Sequence, residues 1–184
     1  GNYDIIPSGG SDNNYSFLYS NGNLTITPKH IDSVQFSGFL YTYNGLNHFP
    51  IVTTFPQNKR IKISYYDEKG YSTNEIINAG IYTIEAIITE TGYANDTFKQ
   101  ELIVEKAPLS VKVNNLTTQY NDPFPEYHLS YNGFIEGEGI NDIDTLPHAS
   151  VSGVWPLLPG DYLIRLAGGF DSNYEISTKN GILT

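Results

Sequence analysis

The last 25 residues, "GDYLIRLAGGFDSNYEISTKNGILT" (160–184), repeat the first 25, "GNYDIIPSGGSDNNYSFLYSNGNLT" (1–25), without a gap. At a constant offset of 159 residues, 12 of the 25 positions are identical, and four of these are glycines. Glycine reaches backbone conformations that other residues rarely adopt, so such positions are hard to replace. Self-similarity at a fixed period is the signature of repeat architectures. We therefore expect both segments to be ends of repeats, with the earlier strands of the first repeat lying outside this chain.

The composition of the chain favours strands over helices. Its 184 residues are 39% hydrophobic and include 15 Tyr and 17 Gly. Aromatic and β-branched residues are enriched in strands, and glycine is frequent in tight turns. A chain of this length holds one ordinary domain or two small ones. The sequence thus predicts a mostly β protein built from small tandem domains.

Charge and cysteine content exclude several classes of function. The net charge is −10, from 10 basic and 20 acidic residues, and no basic stripe is present. Such a surface repels nucleic acid, so we expect no nucleic-acid partner. The longest apolar run is far too short to span a bilayer, which argues against membrane insertion. The absence of cysteine excludes disulfides, thiolate metal sites and cysteine nucleophiles.

Two proline-marked junctions divide the chain. The stretches "LTITPKHI" (24–31) and "LIVEKAPLSV" (102–111) each place Lys and Pro after an apolar segment. Because proline lacks an N–H group, Pro28 and Pro108 suit the exit from one sheet and the entry to the next. Neither junction is long or rich in Gly and Ser, which predicts units held in semi-rigid register. The predicted units are a first segment (1–27), a middle unit (28–107) and a last unit (108–184).

Alternating apolar residues predict the fold of the two complete units. In "GIYTIEAII" (80–88) apolar side chains recur at every second residue, which indicates a strand, and we expect an Ig-like sandwich in the middle unit. In "GEGINDIDTL" (137–146) isoleucine and leucine recur every third residue, which predicts a short helix. The last unit is then either a second β-sandwich or a β-grasp-like sheet with that helix. The acidic residues of this stretch are interpreted as a solvated face.

A Gly-x-Tyr-x-Ile pattern occurs in all three parts of the chain. Tyr3, Tyr82 and Tyr162 each lie two residues before an isoleucine. In β-sandwiches a tyrosine placed in this way often pins a loop, because its hydroxyl donates to a backbone carbonyl. The alternative, a tyrosine that stacks on sugar, suits a position repeated in every unit less well. We predict a structural role.

The last unit resembles the bacterial MBG domain of the YGX type. The resemblance rests on "YNDPFPEYHLSYNGFIEGE" (120–138) and on residues 160–184. Asn121 stands where the family has Gly, but Asn also tolerates turn conformations. Residues 1–27 are similar to the tail of another copy. The middle unit, with "YTYNGLNHFP" (41–50), resembles the bacterial Ig-like repeats that alternate with such domains.

This resemblance implies an extracellular repeat region of a large secreted or surface-anchored bacterial protein, such as an adhesin. It implies no catalytic residue, since the motif positions are turn and core residues. The motifs of enzymes are also missing: the chain has neither a nucleophile elbow nor a phosphate-binding glycine loop. The four histidines lack the spacing of metal ligands. They are His30, His48, His128 and His148.

The strongest metal candidates are the twin loops "GGSDNNY" (9–15) and "GGFDSNY" (168–174). Their Asp12 with Asn14, and Asp171 with Asn173, offer hard oxygen ligands to Ca²⁺. Asp and Asn also build turns by accepting hydrogen bonds from nearby backbone. No third carboxylate stands close by, so the sequence favours turns and predicts neither a metal site nor a cofactor.

The single tryptophan, Trp155, lies beside Val154, Leu157 and Leu158. If this cluster is exposed, it forms a surface for a partner or a glycan. The favoured interpretation is a loop that plugs one end of the core.

We therefore expect a non-catalytic extracellular stalk or spacer in an adhesin-like array, whose partners are neighbouring repeats. Two alternatives remain: a module that binds a glycan or a host surface protein, and an accessory domain of a secreted enzyme. Two strands alone are marginally stable, so Ile5, Phe17 and Leu24 of the first segment need cover. The cover comes either from the middle unit or, as we favour slightly, from strands of a second chain.

Overall fold

A computed structural model describes residues 1–184 and consists almost entirely of strands. The strands form five small sheets, and the helical content is one turn of 3-10 helix, Ile140–Asp142. The mostly β class and the tandem arrangement of small β domains are confirmed. Large fully buried side chains are found in the middle and last units and none in the first segment.

The first segment contains one antiparallel pair of strands, β1 (Asn2–Ile5) and β2 (Gly22–Thr25). These strands pair only with each other. Every residue of both strands is exposed to solvent. The middle unit therefore does not supply the cover that the apolar residues of this segment need. The chain joins the middle unit just after Pro28, where the Lys29 N–H donates to the carbonyl of Gly92 (2.9 Å).

The middle unit consists of two sheets, which share one core. Its strands are β3 (Ser33–Ser37), β4 (Leu40–Thr42), β5 (Ile51–Phe55), β6 (Ile61–Tyr66), β7 (Ser72–Thr73), β8 (Gly80–Ile88) and β9 (Thr97–Glu105). The small sheet pairs β3 with β5, and the large sheet has the order β4-β9-β8-β6-β7. Along β8 the alternation gives buried side chains at every second residue, as predicted. Phe36 of the small sheet packs on the core formed by residues such as Ile84 and Leu102.

The last unit is also built from two sheets around a core. Its strands are β10 (Ala107–Val113), β11 (Leu129–Asn132), β12 (Thr145–Val151), β13 (Tyr162–Phe170), β14 (Tyr174–Lys179) and β15 (Gly181–Leu183). One sheet has the order β11-β10-β14, with β10 and β14 parallel, and the other has the order β12-β13-β15. Val111 and Ile164, one from each sheet, are fully buried in the same core.

The helix predicted for residues 137–146 is wrong over most of its length. Only Ile140–Asp142 form a 3-10 turn, and β12 already begins at Thr145. Gly137 has φ +89° and Gly139 has an extended backbone, so neither continues a right-handed helix. Of the apolar residues at spacing three, Ile143 is the one that is buried. Because no helix is present to pack across a sheet, the β-grasp-like alternative is excluded and the sandwich remains.

The two units are joined by a single residue. Strand β9 ends at Glu105 and β10 begins at Ala107, so Lys106 alone lies between two different sheets. Pro108 is the second residue of β10, outside the stretch that pairs with β11. One continuous cluster of 15 buried residues includes side chains from both units. The chain therefore changes sheets within one residue, and the units pack directly against each other.

Candidate functional site at the junction of the two units

A single carboxylate accepts hydrogen bonds from both units at the junction. Tyr43 follows β4 in the middle unit, and its hydroxyl donates to Oε1 of Glu138 in the last unit. The hydroxyl of Tyr174, the first residue of β14, donates to Oε2 of the same side chain (2.6 Å). The two tyrosine rings meet edge to face with their centroids 5.7 Å apart. The three side chains thus form one cluster, which we call the tyrosine–glutamate cluster.

The surroundings of this cluster keep both phenols protonated. Tyr43 and Tyr174 are buried, with 6% and 2% of their surface exposed. Burial, followed by the hydrogen bond to Glu138, raises the pKa of Tyr174 to about 12 and moves the pKa of Tyr43 in the same direction. Hydrogen bonds to a charged acceptor are stronger than those between neutral groups. With hydroxyls that do not ionise near neutral pH, both tyrosines remain hydrogen-bond donors to Glu138, and the cluster holds the units together.

Further polar contacts cross the junction beside the cluster. Asn173 Oδ1 accepts a hydrogen bond from the backbone N–H of Ala79 (2.9 Å), and its amide nitrogen lies 3.3 Å from Asn78 Oδ1. Lys106 Nζ donates to the backbone carbonyl of Asp171 (2.7 Å) and lies 4.9 Å from the ring centre of Phe170. Because these bonds attach to backbone as well as to side chains, they fix the orientation of one unit on the other.

Asp171 positions the residues that reach across the junction. Its Oδ1 accepts hydrogen bonds from the backbone N–H groups of Asn173 (2.7 Å) and Tyr174 (2.9 Å). Its Oδ2 accepts from the N–H of Asp144 (3.2 Å), and the residue is 4% exposed. In the first segment Asp12 likewise accepts from the N–H groups two and three residues later, at 2.7 and 3.1 Å. The prediction that both aspartates lie in turns is confirmed.

No group of three or more His, Asp or Glu side chains comes together in a way that could hold a metal ion. The four histidines belong to no such group. His30 is exposed and pairs with Asp96, 3.0 Å away. His48 is buried and stacks on Tyr41, with ring centres 4.2 Å apart. The others are exposed on the last unit.

Two of the three pattern tyrosines pin a loop as predicted. The hydroxyl of Tyr82 donates to the carbonyl of Asn78 (2.9 Å), and that of Tyr162 donates to the carbonyl of Leu158 (2.8 Å). Each acceptor lies four residues before its tyrosine. Tyr3 is 57% exposed. The structural interpretation is confirmed for Tyr82 and Tyr162.

The tryptophan loop is divided between core and solvent. Trp155 and Leu157 pack against the core, and the indole N–H donates to the carbonyl of Asp122 (2.9 Å). Val154 and Leu158 remain 88% and 71% exposed. The prediction that this loop covers one end of the core therefore holds for Trp155 and Leu157 but not for Val154 and Leu158. An open cleft of about 190 Å³ lies beside it, and its apolar lining includes Tyr120, Trp155, Leu157, Leu158, Tyr162 and Leu183.

Sequence reasoning missed the central residue of the junction. Glu138 lies in the acidic stretch that was interpreted as a solvated face, but it is only partly exposed and accepts two tyrosine hydroxyls. The signal that was available is indirect. Tyr43 and Tyr174 each stand next to an Asn in turn motifs of the two units. Nothing in their spacing from Glu138, which is 95 residues from Tyr43, links them to that carboxylate.

Comparison with known proteins agrees with this two-part architecture. Residues 109–184 match the family model described as MBG domain (YGX type), and residues 32–108 match the model described as MBG domain. The Ig-like resemblance of the middle unit is not confirmed, because the match there is also to an MBG domain. No curated protein and no solved structure matches the chain.

MBG domains are typically non-catalytic repeat modules of large surface proteins. No helix of this chain is both long enough and apolar enough to cross a membrane. The two matches adjoin each other and together run from residue 32 to the last residue. Over this range the chain therefore belongs to the MBG family, as two MBG domains in tandem.

Proposed function

We propose that this chain is a non-catalytic repeat segment of a bacterial surface or secreted protein, and that its MBG domains act as a stalk or spacer in an adhesin-like array. Its partners in this role are neighbouring repeats of the same protein, outside the cell. The net charge of −10 keeps such an array soluble and discourages association between arrays.

The observation that carries this proposal is the junction at Lys106. A spacer must hold its two ends in a defined direction from each other, so its domains need a fixed relative orientation. A linker of one residue, a shared core and the tyrosine–glutamate cluster together meet this requirement. Domains that only bind separate ligands need no such coupling, and domains in one chain otherwise move relative to each other by default.

Distance measurement between spin labels tests the proposal. Since the chain has no cysteine, labels attach only where one is introduced. We choose Lys69→Cys in the first MBG domain and Lys179→Cys in the second, because both side chains are exposed. A rigid spacer gives one narrow distance distribution. A broad distribution, spread over ten ångströms or more, would contradict a stalk built from these two domains.

A control pair within one domain sets the width expected of a rigid body. Glu75→Cys and Asn95→Cys are exposed positions beyond opposite ends of β8. Their distribution should be as narrow as that of the pair that spans the junction. Adding Glu138→Ala should broaden the distribution across the junction and leave the control pair unchanged.

A second candidate function is glycan binding, and the cleft beside Trp155 favours it. Aromatic side chains in an open cleft suit sugar rings, since each ring presents an apolar face. Tyr120 is 60% exposed at its edge. A glycan array probed with the chain tests this role, with Tyr120→Ala as the matched variant. Binding that Tyr120→Ala does not weaken would place the sugar elsewhere.

A further inference from the structure

The first segment has the strand register of the end of the second MBG domain. Tyr3 lies opposite Leu24 in the β1–β2 pair, and Tyr162 lies opposite Leu183 in the β13–β15 pair. The positions differ by 159 in each case. The other shared pairs are Asp4–Asn23 with Leu163–Ile182, and Ile5–Gly22 with Ile164–Gly181. Together with the matching Asp12 and Asp171 turns, residues 1–25 have the local structure of a domain end.

The two segments differ in burial at the equivalent positions. The side chains that are exposed in the first segment belong to the core in the second domain. The exposed fractions are 54% for Ile5 against 0% for Ile164, 76% for Tyr15 against 2% for Tyr174, and 48% for Leu24 against 2% for Leu183. The first segment thus presents an apolar face whose counterpart is covered.

The surroundings of one glycine show how closely the covering segment packs in the second domain. A Cβ atom at Gly181 would lie 2.9 Å from the carbonyl oxygens of Val113 and Asn114, so a neighbouring backbone requires glycine there. At the equivalent Gly22, only the side chain of Ile5 comes within 4 Å, and φ is not positive. Nothing within residues 1–184 requires glycine at position 22. A glycine at position 22 is expected if the backbone of a covering segment packs closely against it, as the backbone of Val113 and Asn114 does at Gly181.

In the second domain, residues 107–159 supply the strands of that cover, and Tyr43 of the first MBG domain adds its ring against Tyr174. Strand β12 pairs with β13, and β10 pairs with β14 in parallel. Asn115 Oδ1 accepts the N–H of Ile182 (3.0 Å), and Leu116 bridges to Leu183. In the first segment, the hydrogen bonds between residues 1–26 are formed. The hydrogen bonds that the second domain makes to its residues 107–159 have no counterpart there.

We propose that the apolar face of residues 1–27 binds a polypeptide segment with the residue pattern of 107–159, the opening part of a YGX-type MBG domain, and so completes a third MBG domain. The occupant pairs one strand with residues 5–11, which correspond to the stretch of β13 that pairs with β12. It brings a second strand alongside Tyr15–Ser20, as β10 does with β14. This inference is independent of the spacer role.

A second copy of the chain is a poorer occupant. Its residues 107–159 are already covered by residues 160–184 of the same molecule. Leu166 of that cover is 4% exposed, and its N–H donates to Asn180 Oδ1 (2.9 Å). The first segment has Pro7 at the equivalent position, which lacks an N–H group and leaves that bond unmade. Exchange between intact molecules therefore loses core contacts that each molecule already has.

The test extends the chain by a second copy of residues 107–159 joined directly ahead of Gly1, which preserves the offset of 159. Amide hydrogen exchange is compared between the extended and the original chain. We expect exchange at Ile5, Tyr15 and Leu24 to slow by about 100-fold or more on extension, as in a folded domain. Unchanged exchange at these amides would overturn the proposal.

The Gly22→Val variant distinguishes specific docking of the added segment from nonspecific collapse of that segment onto the apolar face. In the original chain a Cβ atom at position 22 would meet only the side chain of Ile5, at an ordinary contact distance of 3.5 Å, so this change should leave hydrogen exchange and stability unaltered. In the extended chain the added side chain meets the incoming backbone and should abolish the new protection. Mass measurement of the original chain completes the test. A dimer whose residues 1–27 are already protected would show that a second copy is the occupant, and would also overturn the proposal.

Discussion

Tyr43 and Tyr174 lie in different MBG domains, yet their hydroxyls donate to the two oxygens of one carboxylate, that of Glu138. The contact couples the folding of the two domains, because unfolding of either one removes the hydrogen bond between Tyr43 and Glu138. The folded domain then loses a hydrogen bond to a charged group, which contributes more than one between neutral groups.

Glu138→Ala should lower the free energy of unfolding by about 2–6 kcal/mol, because two buried hydroxyls lose their acceptor at about 1–3 kcal/mol each. Urea denaturation measures the change. Glu136→Ala is the matched control, since Glu136 is an exposed residue of the same loop and should cost less than about 0.5 kcal/mol. Equal effects of the two changes would show that the cluster contributes nothing.

The cluster should also make stability depend on pH in alkaline solution. The pKa of Tyr174 is raised from 10.0 to about 12 in the folded state, so the folded protein holds this proton more tightly than the unfolded chain. The corresponding stability is complete below pH 10 and is lost as the pH rises through about 12. Urea midpoints at pH 9 and 11 measure the loss, which should be smaller in Tyr174→Phe. An identical pH slope in both proteins would rule out this origin.

His48 should destabilise the first MBG domain in mild acid. Burial lowers its pKa from 6.5, and its Nε2 atom has no hydrogen-bond partner. The folded state therefore binds fewer protons than the unfolded state, and stability falls as the pH drops below 6.5. Melting temperatures at pH 7.5 and 5.5 measure this effect. His48→Phe keeps a ring against Tyr41 and should reduce the difference; if it does not, other groups are responsible.

The loop-pinning tyrosines should have similar energetic effects in the two domains. Tyr82→Phe and Tyr162→Phe each remove one hydrogen bond from a hydroxyl to a backbone carbonyl, and each should cost about 1 kcal/mol. Tyr3→Phe is the control, because its hydroxyl pins no loop, and it should be neutral. Chemical denaturation of the three variants compares them. A cost at Tyr3 as large as that at Tyr162 would contradict the assigned role.

The twin aspartate loops should stabilise the chain without calcium. Asp171→Ala should lower the melting temperature, because the buried carboxylate accepts hydrogen bonds from three backbone N–H groups. Asp12→Ala should have little effect, since its turn is exposed. Millimolar Ca²⁺ should change neither result. A rise of several degrees in melting temperature on adding Ca²⁺, abolished by Asp171→Ala, would instead identify a metal site.

Local patterns in the sequence predicted the strands and the turns, but not the contacts between units. The alternation in residues 80–88 and the aspartate turns depend on neighbours along the chain, so they are readable from the sequence. The helix at 137–146 failed because spacing by three also suits a single 3-10 turn that leads into a strand. Glu138 was misread because its partners are 36 and 95 residues away, and pairing over such distances leaves no period in the sequence.

The parallel pairing of β10 with β14 has a mechanical consequence. Tension applied between Lys106 and Lys179 pulls β10 from its beginning and β14 from its end, in opposite directions along the strand axes. The ladder from Ala107–Tyr174 to Lys112–Lys179 is then loaded in shear, and its hydrogen bonds bear the force together. An antiparallel hairpin pulled from its two open ends would instead unzip one bond at a time. This ladder therefore resists extension better than a hairpin that unzips.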